Sequence, residues 1–304
     1  MKHFSALLVV VSAVTLAAQT VNYAYDQAGR LISVAYPSGL TATYAYDASG
    51  NLLRKLIATP ATGTPPAPFN NGVVNVASNQ GTTVAPGEIV AIYGNGIGPA
   101  ALALAPITPA SFFDTIAADT TVTFDGIPAP LIYASGGQSA AIVPYSVAGQ
   151  TSTQMVVTLQ GLASTPIKLS VAPSAPGLFS ANSSGTGNGA ILNQDNSYNS
   201  ASNPAARGAI IVLYGTGEGQ TNPAGVTGRI ALSVYPKPIQ PVKISIGGVD
   251  ATAGILYIGA APDLVAGVFQ LNVTVPTNVP AGAVPVVVTV GSASSQSGLT
   301  VSLK

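Results

Sequence analysis

The sequence contains no cysteine and no tryptophan, and its only histidine is His3. Without thiols the chain forms no disulfide bond, so its folded state has to depend on buried apolar surface. If the first residues are removed on export, the mature chain also lacks an imidazole. This composition excludes Ser-His-Asp and Cys-His catalysis, and it excludes zinc sites built from histidine or cysteine.

Charge is also scarce, because acidic and basic residues together make up 7% of the chain. No basic patch is available for nucleic acid, and no polybasic run is available for anionic lipid. Hydrophobic residues make up 47%, which argues against disorder. The many glycine, proline, threonine and valine residues instead predict β-strands joined by turns.

The first residues have the pattern of a secretory signal peptide. Lys2 precedes an apolar run at residues 4–16, and Ala17 follows as a small residue suited to cleavage. We predict a signal peptide over residues 1–18, with the mature chain beginning near Thr20. An N-terminal membrane anchor is the alternative, although the run is short for a bilayer. Every later apolar stretch is interrupted, so we do not expect an integral membrane protein.

Residues 21–57 carry a short repeat with a period of 21 residues. The first unit reads YDQAGRL at residues 25–31, and the second reads YDASGNL at residues 46–52. Asp-x-x-Gly between strand-like runs predicts a hairpin in which the aspartate caps the turn and the glycine takes a positive φ.

These two units resemble the YD repeats of the Rhs and teneurin type, whose signature is Tyr-Asp-x-x-Gly-Arg-Leu. The first unit matches the signature in full, and the second has Asn51 in place of arginine. In that family many units wind into a large β-shell that can enclose a toxin. Two units cannot enclose anything, so the resemblance implies a short β-hairpin module. Residues 58–70 follow as a Pro-rich linker that we expect to be extended and semi-rigid.

The remainder of the chain contains an internal duplication. Residues 87–98 (GEIVAIYGNGIG) recur as residues 208–219 (GAIIVLYGTGEG). A duplication of this size predicts two copies of one domain. Short strands separated by turns predict an all-β fold with two tandem immunoglobulin-like β-sandwiches, at residues 71–181 and 182–304. The best helical candidate, residues 100–104, would give a turn or two at most.

Four segments of the duplicated region resemble an uncharacterised C-terminal domain family described from Solibacter and related acidobacteria. They are residues 173–179 (PSAPGLF), 203–208 (NPAARG), 213–219 (LYGTGEG) and 270–276 (QLNVTVP). The resemblance implies units similar to the IPT/TIG-type immunoglobulin-like fold. That family occurs at the ends of exported proteins and has no assigned activity. Asp263 stands where the family pattern has glycine, which affects one turn.

Two glycine-rich segments, residues 94–98 and 215–219, invite a phosphate-loop interpretation. A dinucleotide loop needs a helix that starts directly after the glycines, so that its amides face the pyrophosphate. Pro99 follows the first segment, and neither spacing is G-x-G-x-x-G. We therefore predict structural turns and no cofactor.

Glu88 and Glu218 are the only glutamates. A glycosidase needs two carboxylates about 5 to 10 Å apart across one sugar bond. These two lie in different copies and at non-equivalent positions, so we do not expect a catalytic pair. Asp125 and Asp250 flank equivalent turns and are interpreted as turn caps. No catalytic residue is predicted.

The loop at residues 193–200 is dense in oxygen ligands of the kind that Ca²⁺ prefers. It has one carboxylate and no EF-hand pattern, so a polar connection is the better interpretation and no metal site is predicted.

Several tyrosines recur in both copies, and this repetition favours a packing role: Tyr93, Tyr133, Tyr214 and Tyr257. Tyr145, Tyr198 and Tyr235 have no counterpart in the repeat. Exposed aromatic rings can stack on sugars, so these three are the predicted ligand contacts.

The sequence thus predicts a secreted, non-enzymatic structural or interaction module of the cell surface or extracellular space. Its partner would be an extracellular protein or polysaccharide, with no nucleic acid involved. A carbohydrate-binding module for exported polysaccharide is the alternative, and an enzyme ranks third.

Overall fold

A computed structural model describes residues 21–36, 40–47, 50–58, 63–81 and 83–304. The predicted signal peptide lies outside these residues. The chain divides into two compact units, one at residues 1–62 and one at residues 63–304.

The first unit contains a four-stranded antiparallel sheet in sequence order. Its strands are β1 (Asn22–Tyr25), β2 (Leu31–Ala35), β3 (Thr41–Tyr46) and β4 (Leu52–Ala58). The predicted turn chemistry is present in both repeats. Asp26 Oδ1 accepts hydrogen bonds from the N–H groups of Ala28 and Arg30, and Gly29 has a φ of 75°. In the second repeat Asp47 Oδ1 accepts from Asn51 N–H, and Gly50 has a φ of 89°.

The second unit consists of two halves, each built from two packed sheets. The strands of its first half are β5 (Ala67–Asn75), β6 (Thr83–Val84), β7 (Ile89–Asn95), β8 (Ala103–Leu104), β9 (Ile116–Ala117), β10 (Thr120–Phe124), β11 (Ile127–Ala129), β12 (Leu131–Ala134), β13 (Gln138–Ile142), β14 (Ser152–Leu159), β15 (Leu162–Ala163) and β16 (Ile167–Val171).

The second half follows the same plan. Its strands are β17 (Gly177–Leu178), β18 (Gly187–Asn188), β19 (Leu192–Asn193), β20 (Ile210–Thr216), β21 (Thr221–Asn222), β22 (Lys237–Pro238), β23 (Val242–Ile246), β24 (Val249–Asp250), β25 (Ile255–Ala260), β26 (Val268–Thr274), β27 (Gly282–Val290), β28 (Ala293–Ser294) and β29 (Leu299–Leu303).

Strand order shows that the duplication in the sequence is a duplication in space. One sheet of the first half has the order β11-β10-β14-β16-β6, and the second half has β24-β23-β27-β29-β18. In both sheets the last pair is parallel and the other neighbours on the path are antiparallel. The opposite sheets have the orders β5-β7-β13-β12-β8 and β17-β20-β26-β25.

Each half has its own apolar core between its two sheets, as a β-sandwich requires. The core of the first half includes Ile92, Phe124 and Met155, which are all fully buried. The core of the second half includes Leu213 and Val286 in the corresponding places. This confirms the predicted all-β, sandwich-type fold; the immunoglobulin-like topology and the predicted domain boundaries remain predictions.

A third apolar cluster joins the two halves. Ile89 and Ile142 of the first half pack with Ala261, Val265 and Val268 of the second. Polar contacts cross the same junction: Ile89 N–H donates to Thr216 Oγ1 at 2.9 Å, and Gln220 Nε2 donates to the Tyr145 carbonyl at 2.9 Å. The halves therefore share a buried interface and are not independent domains joined by a flexible linker.

Two local expectations differ from the structure. The predicted helical turn at residues 100–104 instead contains strand β8, because these residues add to the edge of the sheet at β12. Strand β5 begins at Ala67, inside the stretch predicted as a linker, because Ala67 pairs with Asn95 on β7. In the part of the chain that the structure describes, the helical elements are two 3-10 turns, Tyr145–Val147 and Thr252–Gly254. None of these described elements is a helix able to cross a membrane.

Candidate functional site

A cavity of about 290 Å³ lies beside the junction of the two halves of the second unit. The long loop between β21 and β22 forms most of its wall. The lining side chains are mainly apolar, and the polar groups among them are few: Tyr145, Glu218, Thr221, Arg229 and Ser233. An apolar concavity with a small number of polar groups is the usual form of a small-ligand site.

Backbone hydrogen bonds to both halves hold this loop in place. On one side Ile230 N–H donates to the Ser111 carbonyl at 2.9 Å. On the other side Ala231 N–H donates to the Leu264 carbonyl at 2.9 Å. Residues 228–231 thus connect the first and second halves, and the cavity wall is fixed by the fold.

Glu218 reaches the cavity from the glycine-rich turn after β20. Gly217 and Gly219 flank it, and both have positive φ values, 87° and 78°. A side chain on Gly217 would overlap the carbonyl of Ala175, and one on Gly219 would overlap the carbonyl of Pro173. The glycines therefore serve close backbone packing, as predicted, and they place a carboxylate between two chain segments.

The Glu218 side chain is buried and incompletely paired. The residue is 2% exposed, and its Oε2 has no hydrogen-bond partner among the described residues. Burial raises the pKa of Glu218 from 4.5 to about 7, while a bond from its own backbone N–H opposes this shift. A buried carboxylate oxygen without a partner is costly, so groups of this kind are often functional.

Glu88 lies close enough for the two glutamates to interact. Its Oε1 accepts from Asn75 Nδ2 at 2.8 Å, and its Oε2 accepts from Ala85 N–H at 2.7 Å. Burial raises the pKa of Glu88 to about 8; these two hydrogen bonds oppose the shift, and the charge of Glu218 adds to it. The two glutamates therefore interact although they belong to different copies of the repeat, and the expectation that they form no catalytic pair remains a prediction.

Tyr145 also lines the cavity, but as a buried residue rather than the exposed ring that was predicted. It is 7% exposed, and its ring lies against Gly87 and Gly225, where an added side chain would overlap it. Its backbone N–H donates to Thr227 Oγ1 at 3.1 Å. Burial, followed by the charge of Glu218, raises the pKa of the Tyr145 hydroxyl well above its ordinary value.

The other two predicted ligand contacts do not line the cavity. Tyr235 follows Val234 on the cavity loop; it is 38% exposed and its hydroxyl donates to the Leu232 carbonyl at 3.1 Å. Tyr198 is 78% exposed on the loop at residues 193–200. Tyr145 is thus the one of the three that lines the cavity, while Tyr235 lies between two lining residues, Val234 and Pro236.

The tyrosines that recur in both copies make internal contacts, in keeping with their predicted packing role. Gln138 Nε2 donates to the Tyr133 hydroxyl at 2.7 Å, and the Tyr257 hydroxyl donates to the Ala260 carbonyl at 2.6 Å. Tyr214 packs in the cluster that joins the halves.

The loop at residues 193–200 is closed by its own amides. Asn199 Nδ2 donates to Asn193 Oδ1 and to the Ser302 carbonyl, both at 2.9 Å. Ser197 N–H donates to Asp195 Oδ1 at 3.0 Å, and hydrogen bonds from Ser197 lower the pKa of Asp195. Its oxygens therefore serve a polar connection, and no metal-ligating cluster of acids, histidines or cysteines occurs within the described ranges.

The two aspartates interpreted as turn caps do bind neighbouring groups. Asp250 Oδ1 accepts from Thr252 N–H at 2.8 Å. Asp125 Oδ1 accepts from Gln154 N–H at 2.8 Å, on the strand beside its own turn. Both are thus engaged in structural hydrogen bonds.

The sequence does contain an indication that Glu218 has a special role, although pairing of carboxylates did not point to it. When the repeats are aligned on their glycines, Glu218 corresponds to Ile97. Ile97 is 0% exposed and belongs to the core of the first half. A glutamate at a position that the other copy fills with a core isoleucine marks the second half as specialised.

Comparison with known proteins identifies the first unit more clearly than the second. The RHS Repeat family model matches residues 12–64, which supports the assignment of the YD repeats. That match covers a minor part of the chain. No curated protein sequence is significantly similar to the chain.

Some solved structures show a remote likeness. One is SGBP-B from the Bacteroides ovatus mixed-linkage glucan utilization locus, in complex with a mixed-linkage heptasaccharide; it has 11% identity and a TM-score of 0.30, over 87% of this chain and 53% of that one. Another is SGBP-B from a complex xyloglucan utilization locus in Bacteroides uniformis, with 14% identity and a TM-score of 0.23, over 77% of this chain and 48% of that one. This chain spans about half the length of those proteins.

Proposed function

We propose that this chain is an exported, non-enzymatic interaction module whose binding site is the cavity beside the junction of the two halves. The observation that carries the proposal is the cavity itself. Its wall is hydrogen-bonded to both halves through Ile230 and Ala231, so it exists before any ligand arrives. A preformed site avoids part of the ordering cost of binding.

The mouth of the cavity supports the same function. Val226, Leu232 and Val234 line it and are 44%, 56% and 48% exposed. Aliphatic side chains grouped in this way around a concavity are typical of sites that bind a partner.

The arrangement of carboxylates favours binding over hydrolysis. A glycosidase requires two carboxyl groups that both reach the substrate. Glu218 lines the cavity and Glu88 does not, and both oxygens of Glu88 are occupied by Asn75 and Ala85. We expect no turnover when the purified protein is screened against polysaccharides and aryl glycosides. Activity that disappears in Glu218→Gln or Glu88→Gln would contradict this part of the proposal.

Export is supported by the N-terminal sequence and by the resemblance of the duplicated region to a family found at the ends of exported proteins. Mass spectrometry of the protein recovered outside the cells should give a mature N terminus near Thr20. Recovery of the intact chain from the cytoplasm would argue against export.

Site-specific photocrosslinking tests the binding site. A benzophenone amino acid at Leu232 should give a discrete adduct on intact cells that export the chain. The substitution Ser233→Trp, which fills the mouth from an exposed position, should abolish that adduct. The same photoreactive residue at Tyr198 is the matched control, because this exposed position does not line the cavity. Equal adducts at both positions, or none at either, would count against the proposal.

Polysaccharide binding is the second candidate, and exposure of the aromatic rings favours it. Of the three predicted contacts, Tyr198 and Tyr235 retain exposed surface, and such rings can stack on sugars. Saturable binding to an insoluble polysaccharide, weakened by Tyr235→Ala and retained in Tyr235→Phe, would support this candidate. Binding that is insensitive to Tyr235→Ala and Tyr198→Ala would exclude these rings as the contact.

A further inference from the structure

The unpaired oxygen Oε2 of Glu218 indicates which ligand chemistry the cavity takes. Oε2 is buried and has no partner in the described part of the chain, so it has lost water without gaining a donor. The corresponding residue of the first half, Ile97, shows that the fold can bury an apolar side chain here. Glu218 lines the cavity, so a rotation of its side chain that exposes Oε2 would let a ligand in the cavity supply the missing hydrogen bond.

The walls indicate the rest of the ligand. Apart from the few polar groups, the lining residues are small or aliphatic, among them Ala224, Ile230, Ala231, Ala260 and Ala266. The volume of about 290 Å³ lies at the lower end of the range for small-ligand sites. The space therefore suits a short aliphatic chain better than a sugar ring system, whose many hydroxyl groups would find few partners.

Building on the function proposed above, we propose that the cavity binds an aliphatic chain ending in a primary ammonium group, which donates to the Glu218 carboxylate. An ammonium group has three donors and a positive charge, so it satisfies and neutralises the buried acid together. An alcohol of the same length offers one donor and no charge. The same chemistry occurs in a free alkylamine and in a lysine side chain of a peptide.

The charged groups around the site are compatible with this ligand. Glu88 is the second acid near Glu218, and its ionised form would also attract a cation. The Tyr145 hydroxyl is neutral near pH 7, and burial raises its pKa further above the usual value. Arg229 is the cation of the lining, and its exposed side chain is screened by solvent.

Calorimetric titration of the full mature chain with four small probes tests the proposal. At pH 8 n-hexylammonium should bind saturably, and n-hexanol should bind at least about ten-fold more weakly, because it lacks the charge-assisted bond. Hexanoate and methylammonium should not bind measurably, since one has the wrong charge and the other has no chain. Nα-acetyl-lysine amide, as a separate arm, reports whether a lysine side chain can enter.

Variants and pH complete the test. Glu218→Gln should weaken n-hexylammonium about ten-fold or more and leave n-hexanol unchanged. Asp195→Asn, which removes a carboxylate that does not line the cavity, should leave both ligands unchanged. In the wild-type protein, n-hexylammonium binding should strengthen from pH 5.5 to pH 8.5 as Glu218 ionises.

The proposal is overturned if n-hexanol binds as tightly as n-hexylammonium, if no amine binds, or if Glu218→Gln retains full amine affinity. Should Glu218→Gln fail to fold by circular dichroism, the wild-type probe series and pH profile decide the question. An adduct at Leu232 without amine binding would refute this ligand chemistry and leave the cavity as the interaction site. Amine binding without an adduct at Leu232 would support this ligand chemistry and contradict the proposal that the cavity is an interaction site.

Discussion

Single glycines decide how closely the two halves approach. Gly217 packs against the Ala175 carbonyl, Gly177 against the Asn75 side chain, and Gly267 against the Gly87 carbonyl. At each of these positions a side chain would have to displace backbone or a buried polar group. Glycine is therefore required for contact between segments as well as for turn geometry.

Comparing two glycines of similar conformation separates these effects. Gly217 and Gly161 have φ values of 87° and 85°, but a side chain on Gly161 would meet nothing within 4 Å. We expect Gly161→Ala to lower the free energy of unfolding by about 1 to 2 kcal/mol through φ strain alone. Gly217→Ala should cost at least about 2 kcal/mol more, because it adds a steric clash. Urea denaturation of both variants checks this, and equal losses would show that the clash is relieved at no cost.

The buried glutamates should make stability depend on pH. Their pKa values are raised in the folded state, to about 8 for Glu88 and about 7 for Glu218, so the folded protein binds protons more tightly than the unfolded chain. Their contribution to stability is therefore complete below about pH 4.5 and is lost as the pH rises from there through the folded pKa values near 7 and 8. Each unit of raised pKa corresponds to about 1.4 kcal/mol.

Denaturant unfolding between pH 5 and pH 9 checks the sign and the source of this decline. Glu218→Gln should make it shallower, since the amide does not titrate. Asp195→Asn is the control and should leave the slope between pH 5 and pH 9 unchanged. Stability that rises over this interval in the wild-type protein would contradict the assigned burial.

At the scale of elements, the YD sheet is stabilised by contacts from one turn to the next. Arg30 Nε donates to Asp26 Oδ2 at 2.6 Å, and Arg30 Nη1 donates to the Asp47 carbonyl at 3.1 Å. The guanidinium also lies over the ring of Tyr46, 5.1 Å from its centre. In the second repeat Asn51 takes the place of arginine and reaches its own aspartate, Asp47, at 2.9 Å. The signature arginine thus connects successive repeats, and the terminal repeat does without it.

Replacing this arginine should loosen the sheet. Arg30→Ala should reduce amide protection in β1 to β3 by roughly two- to five-fold, since the cation–π contact and both hydrogen bonds are lost. Arg30→Lys retains the charge without the planar guanidinium, so its amide protection should lie between that of the wild-type protein and that of Arg30→Ala. Hydrogen exchange of the full chain measures this. Unchanged protection in Arg30→Ala would mean that Asp26 and the turn glycines suffice.

How far the sequence predicts these features depends on the range of the interactions. The Asp26 and Gly29 turn chemistry is local, so the motif predicted it correctly. The sandwich halves followed from the duplication and the spacing of short strands. The proximity of Glu88 and Glu218 depends on how the two complete halves pack, and no local sequence pattern predicts this packing. The charge at Glu218 opposite Ile97 in the repeat was the available clue, because it breaks the apolar pattern of a core position.

At the scale of the whole molecule, the second unit should unfold as one cooperative body. The two halves share the cluster around Ile142 and Val268, and the segment at residues 228–231 is hydrogen-bonded to both. Ile230→Pro removes the donor to the Ser111 carbonyl and should destabilise this unit by about 2 to 3 kcal/mol. We also expect it to separate one calorimetric transition into two.

The substitution Ile230→Ala is the matched control for this experiment, because it shortens the same side chain and keeps the N–H. It should lower the transition temperature without dividing the transition. Two transitions already present in the wild-type protein would show that the halves fold independently.

The shared surface at the junction also has a practical consequence. Two polypeptides cut in the connection near Ser174 would each expose the apolar patch that the other normally covers. Expressed as separate chains, they should recognise each other and restore the native assembly without covalent continuity. The molecule therefore offers a natural starting point for a split reporter, in which reassembly and access to the Glu218 cavity could be read out together.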